Sequence, residues 1–158
     1  MQHFDKTAKA GANYYYRTIA FDYTGNESEP QDAVMASTVS KEPVVLTGEL
    51  KKDTVLSGTY IVKGEFIVPR GLTITIEPET MFLLNENSAV IVFGKLNSDG
   101  KGAPVEFVPS VGKRWKGIVV DNGSIILSDF HIRSAETALT AYNAAGSIEN
   151  GVITDSGT

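Results

Sequence analysis

The segment Leu72-Thr-Ile-Thr-Ile76, followed after a turn by Val90-Ile-Val-Phe-Gly94-Lys-Leu96, decides how this chain is read. Branched apolar residues alternate with Thr or Lys, the period-two pattern of a strand with one face in a core. Gly and Pro-Glu punctuate the strands, as turn chemistry requires. The same rhythm returns in Val105-Glu-Phe107, Ile118-Val-Val120, Ile125-Ile-Leu127, Phe130-His-Ile132 and Val152-Ile153. Leu127-Ser-Asp129-Phe-His-Ile132 aligns with Ile148-Glu-Asn150-Gly-Val-Ile153 at a spacing of about 21 residues, the length of one solenoid turn. Earlier segments, Phe66-Ile-Val68 and Met81-Phe-Leu-Leu84, repeat less regularly. A period near 21 to 25 residues predicts roughly four to five turns, each covering the next. Ser134–Leu139 is the nearest approach to a helix, and its β-branched and Gly-rich neighbours make it a turn and a short strand.

Composition sets the outer bounds. The 158 residues suffice for one good core, or one core and a small appendage. With 42% hydrophobic and 21% charged residues, the chain is globular and not disordered. A net charge of −5 argues against a nucleic-acid partner held through its phosphates. No apolar run approaches the length of a membrane span, and no basic-then-apolar signal peptide opens the chain. With no cysteine, disulfides, thiolate metal sites and a cysteine nucleophile are excluded.

A second rhythm precedes the coils. Tyr14-Tyr-Tyr-Arg-Thr-Ile-Ala-Phe21 reads as a strand, Asp22-Tyr-Thr-Gly25-Asn26-Glu-Ser28 as a turn, and Ala33-Val-Met-Ala-Ser37 as the returning strand. With the Ala10-Gly11 corner, this pattern resembles the last two strands of a fibronectin type III domain. The resemblance implies that Tyr14 is the tyrosine-corner residue. A full domain of that kind has about seven strands, so residues 1–40 are expected to be a partial one, left by removal of earlier strands or completed by pairing elsewhere. Lys41-Glu42-Pro43 is a linker, because proline interrupts strand pairing.

Residues 44 to 158 resemble right-handed parallel β-helix proteins of bacterial and archaeal surfaces. The resemblance rests on Ser57-Gly-Thr-Tyr-Ile-Val62, Gly71-Leu-Thr-Ile-Thr-Ile-Glu-Pro78, Gly94-Lys-Leu96, Pro104-Val-Glu-Phe107, Trp115-Lys-Gly-Ile118 and Asn143-Ala-Ala-Gly-Ser-Ile-Glu-Asn150. The expected fold is therefore all-β: a partial fibronectin III-like β-hairpin (1–40), then a short right-handed parallel β-helix, or solenoid (41–158). Ile153-Thr-Asp-Ser-Gly157-Thr158 leads toward another turn without a polar cap, and an open last coil exposes strand edges. Both ends thus read as unfinished, completed either in a longer chain or by head-to-tail stacking of copies.

Proteins of this resemblance include polysaccharide lyases and hydrolases, adhesins and passive surface domains, so the fold alone does not choose among them. The best catalytic constellation is Asp129, His131 and Arg133. If Phe130 and Ile132 point inward, these three share the outward face, with Asp121, Asn150 or Asp155 beside them. The alternative is a solvated strand face with an ion pair of small energetic value. Asp129 faces Asn150 in this register, so no second carboxylate supports an acid–base pair. Trp115 with Lys116 is the candidate ligand-binding pair: an exposed indole stacks on a sugar, whereas a buried one packs the coil under the stems of its basic neighbours. His3 and His131 are too far apart in sequence to suggest zinc. Asn97-Ser-Asp99-Gly100-Lys-Gly102 and Asp22, Asn26 and Glu27 lack the alternating acids of a calcium loop. Asn122, Asn143 and Asn150 are expected to stack as an amide ladder. No cofactor or metal is expected.

These readings give a non-enzymatic extracellular or cell-surface segment, structural or adhesive, self-assembling head-to-tail or touching surface polysaccharide. The alternatives are a polysaccharide lyase or glycoside hydrolase fragment working from the solenoid face, and a carbohydrate-binding module.

Overall fold

A computed structural model describes residues 13–37, 43–101 and 103–157. His3, the Ala10-Gly11 corner, Lys41, Glu42 and Gly102 lie outside the described residues. The chain divides between Glu42 and Pro43 into two units.

In the first unit, β1 (Asn13–Tyr16) pairs antiparallel with β2 (Val34–Ser37), with Tyr14 opposite Ala36 and Tyr16 opposite Val34. Tyr14 and Tyr16 project to the same side of the strand, and their rings stack at 6.3 Å. The strand predicted from Tyr14 to Phe21 ends early, and only a Phe21–Glu27 bridge continues the pairing. Between them the Asp22 carboxylate organises the turn. Its Oδ1 accepts from the Thr24 N–H (2.9 Å), the Thr24 hydroxyl (2.7 Å) and the Asn26 N–H (2.9 Å), and Oδ2 accepts from Asn26 Nδ2 (2.8 Å). These donors, led by the Thr24 side chain, hold the carboxyl well below its usual range.

The second unit is a parallel β-solenoid of about five turns, with three sheet faces and no helix among the described residues. Its strands are β3 (Val44–Glu49), β4 (Thr54–Leu56), β5 (Thr59–Val68), β6 (Thr73–Ile76), β7 (Met81–Leu84), β8 (Ala89–Val92) and β9 (Lys95–Asp99). The chain continues through β10 (Val105–Pro109), β11 (Gly117–Asp121), β12 (Ser124–Arg133), β13 (Leu139–Tyr142) and β14 (Ala145–Thr154).

The first face stacks Val44, Tyr60, Phe82, Phe107, Ile132 and Ile153 in register, from β3, β5, β7, β10, β12 and β14. On the second face, Gly48, Phe66, Val90, Ile118 and Leu139 follow one another, from β3, β5, β8, β11 and β13. The third carries Thr54, Ile74, Leu96, Ile125 and Gly146, from β4, β6, β9, β12 and β14. Leu127 lies beside Ile148 and Ile132 beside Ile153, the alignment read from the sequence. The segments that repeated poorly as turns are successive faces of one coil: Phe66–Val68 and Val90–Val92 share the second face, whereas Met81–Leu84 lies on the first.

Alternation places one side chain in two inside. Buried Phe66, Val68, Val90, Val92, Ile118 and Val120 meet Ile74, Ile76, Leu96, Ile125 and Leu127 across the coil. Along the first face runs an aromatic spine. Tyr60 stacks on Phe82 at 5.8 Å, Phe82 on Phe107 at 4.9 Å with planes 5° apart, and Phe107 on Trp115 at 6.4 Å. Each such contact adds about 0.5–1.5 kcal/mol beyond burial alone.

Left-handed residues turn the corners. Gly64, Asn87, Ser134 and Asp155 lead from the first face to the second, Gly71, Asn122 and Asn143 from the second to the third, and Gly58, Glu79, Lys101, Asp129 and Asn150 from the third to the first. All have φ between 44° and 96°. Asn and Asp tolerate this conformation better than branched residues do. The predicted amide ladder forms at the second of these corners, where Asn143 Nδ2 donates to Asn122 Oδ1 at 2.7 Å. Asn150 is not part of it, because it lies one corner on, above Asp129.

Candidate functional site

The outward side of the first face carries a charged cluster. In β12, Phe130 and Ile132 are buried, so His131 and Arg133 point outward as alternation requires. β10 lies beside β12 with Glu106 directly opposite His131. Glu106 Oε1 is 2.8 Å from His131 Nδ1, and its Oε2 accepts from Arg133 Nη2 at 3.4 Å. The Glu106, His131 and Arg133 side chains are 20%, 32% and 53% exposed, so the carboxylate is the sheltered centre of the three.

Asp129 is not in this group. Its φ of 48° places it at the corner between the two halves of β12, where Ser128 pairs with Glu149 and Phe130 with Gly151. The shared-face expectation assumed an extended backbone through Asp129, and a left-handed residue breaks that alternation. The structure therefore brings together His131 and Arg133, and supplies Glu106 where Asp129 was expected. Glu106 was legible only by aligning Phe107 with Ile132 across the intervening loop. Asp121 ends β11 on the second face, where its Oδ1 accepts from Asn122 Nδ2 at 2.7 Å. Asp155 occupies the corner after β14.

Trp115 is fully buried beside Phe107, and its Nε1 donates to the Arg133 carbonyl at 2.8 Å. A buried indole offers no face to a sugar, so packing is the role that this geometry gives it. Lys116 Nζ pairs with Glu136 at 3.0 Å, and neighbouring Lys113 with Glu86 at 2.6 Å.

Chemically, Glu106 holds the His131 ring through Nδ1 and the Arg133 guanidinium through Nη2. Such a pair can bind an anion, or move a proton if substrate reaches it. Hydrolysis at a glycosidic bond ordinarily uses two carboxyl groups flanking the bond, and this cluster holds one. Among the described residues, no group of three or more His, Asp and Glu is placed to hold a metal, and no helix is long and apolar enough to cross a membrane. Comparison with protein-family models, with curated proteins and with solved structures finds no match to this chain.

Proposed function

We propose that the chain is a non-enzymatic structural segment of an extracellular or cell-surface protein, a stiff solenoid that joins others of its kind end to end. The observation that carries this reading is β14. Nine of its ten residues pair with β12 on one side, and Ile148, Val152 and Ile153 stay about half exposed. At the other end of the stack, β3 and β4 expose Val44, Val45 and Val55. All strands of the stack run parallel, so both ends have the same polarity. A contact between unlike ends is heterologous and propagates into an open fibre. The resemblance of residues 44 to 158 to surface β-helix proteins, and of residues 4 to 37 to fibronectin type III strands, supports the extracellular setting.

Light scattering with negative-stain imaging of the same sample tests this. Fibres with a regular axial repeat support it, and a monomer at every concentration overturns it.

The Glu106–His131–Arg133 cluster favours a second reading, a polysaccharide lyase or glycosidase acting from the first face. It requires turnover of an acidic or neutral polysaccharide that is lost in Glu106→Ala while the fold persists. Absence of turnover in the native chain removes it.

A further inference from the structure

The three faces of the solenoid do not hold equal numbers of strand segments. The first has six, from β3, β5, β7, β10, β12 and β14. The second has five, from β3, β5, β8, β11 and β13, and the third five, from β4, β6, β9, β12 and β14. The coil path among the described residues thus starts and stops on the first face, and one copy comprises five full coils and one extra face.

Both ends are therefore stepped. At one end the uppermost segments are β13 on the second face, residues 145–149 on the third and residues 151–154 on the first, rising in that order. At the other end the lowest are residues 44–46 on the first face, residues 48–49 on the second and β4 on the third, rising in the same sense. Laying first face on first face leaves the second and third faces each one strand short at the contact. Turning the upper copy by one face closes both gaps. Its residues 44–46 then continue the second face above β13, its residues 48–49 the third face above residues 145–149, and its β4 the first face above residues 151–154. Exposed Val44 and Val45 come to lie on the strand of Leu139, and exposed Val55 on that of Val152.

The charges agree with this turn. Residues 134–157 contain no lysine, arginine or histidine. Glu149 is exposed just before the corner at Asn150, between the third and first faces, and has no ion-pair partner among the described residues. At the opposite end Lys51 and Lys52 occupy the corner between the second and third faces. Lys51 pairs with Glu49 at 3.4 Å, whereas Lys52 is exposed and has no ion-pair partner among the described residues. A turn by one face carries this corner over Glu149 and Asn150. Without the turn it lies over the corner of Asn143, which offers no carboxylate.

We propose that copies of this chain join with a turn of one face each, so that the coil runs unbroken through the contact and Lys52 pairs with Glu149 of the copy below. The inference rests on the end-to-end reading above and adds its geometry and its recognition contact. With three faces to a coil, the rotation is about 120° per copy. Each copy rises five and a third coils, about 26 Å, and the fibre repeats after about 77 Å. Joined without the turn, each copy would rise six coils, about 29 Å.

Helical reconstruction of the stained fibres reads rise and rotation, and cross-linking reads the contact. The chain has no cysteine, so a short bismaleimide joins only introduced pairs. Val55→Cys with Val152→Cys reports the turned contact, and Val55→Cys with Ser147→Cys the unturned one; all three positions are exposed. Within one chain Val55 lies four coils below Ser147, about 19 Å, and farther from Val152, so a cross-link joins two copies. A rise near 26 Å, covalent ladders from the Val152 pair and none from the Ser147 pair are expected. Glu149→Lys is expected to cut fibre yield roughly tenfold or more, because it sets like charges together. Adding Lys52→Glu should restore it, with circular dichroism verifying the fold of each variant. Fibres without rotation, ladders from the Ser147 pair, or a combined variant no better than Glu149→Lys alone overturn the turned contact and leave end-to-end joining intact. A monomer at every concentration overturns both.

Discussion

Replacing Phe107 with Ala tests the claim that the aromatic spine organises the first face. Phe107 is buried, lies flat on Phe82 at 4.9 Å and meets Trp115 at 6.4 Å on the other side. Truncating a buried Phe costs about 3–5 kcal/mol, the spread reflecting how far the surroundings collapse into the cavity. Collapse is restricted here. The backbones above and below are fixed by the registers Phe82–Phe107 and Phe107–Ile132, so the rings cannot close the gap without breaking parallel pairing. The upper half of the range, about 4–5 kcal/mol, is therefore expected. The chain has one tryptophan, buried beside the substituted position, so urea unfolding followed by its fluorescence reads the spine directly. The midpoint should fall at nearly constant slope. Phe107→Leu, which leaves most of the volume filled, should cost less than about 2 kcal/mol. A loss below about 1.5 kcal/mol for Phe107→Ala would refute the argument, because it would mean that the coil repacks as freely as a loosely ordered core.

Three further outcomes are expected. Gly117→Ala should prevent stable folding, since Gly117 has φ of 118° and a β-carbon there meets the Thr137 carbonyl; a native circular dichroism spectrum and melting curve would contradict this. The Ser98 hydroxyl is buried and has no hydrogen-bond partner, so Ser98→Ala should stabilise the chain by about 1 kcal/mol in urea titration, and a loss of stability would show that the hydroxyl is satisfied. The Asp22 carboxyl is held below its ordinary value by donors in the folded turn. Its contribution is thus fully present above the ordinary unfolded value of 3.8 and is lost as pH falls toward the depressed folded one. The Thr24 and Asn26 amide resonances should remain unmoved through pH 3.8, and titration near that value would disprove the arrangement.

Alternation is a local signal, and it survived. Phe130 and Ile132 inside with His131 and Arg133 outside follow from period two alone, as does the pairing of Leu127 with Ile148 where two coils have equal length. Coil-to-coil neighbours are not local. The loop between β10 and β11, which carries Lys113 and Trp115, lengthens one turn and hides the alignment of Val90 with Ile118. The same loop lies between Glu106 and His131 and hides their pairing too. Asp129 was misplaced because alternation assumes an extended backbone, although Asn150 at the equivalent place marked the pair as residues suited to left-handed turns. Trp115 sits among basic residues in sequence, yet its position is decided by the Phe107 ring, which no local pattern announces.

The last full turn also has a consequence for how such a molecule lengthens. Because Leu127 and Ile148 occupy the same place on successive coils, the chain enters and leaves residues 127–147 at matching points of the cross-section. Tandem duplication of that segment therefore needs no new junction, and one recombination event adds a complete storey of about 4.8 Å. The height of the solenoid is then a quantity that a genome can adjust in uniform steps, leaving the sheet faces and corners in phase.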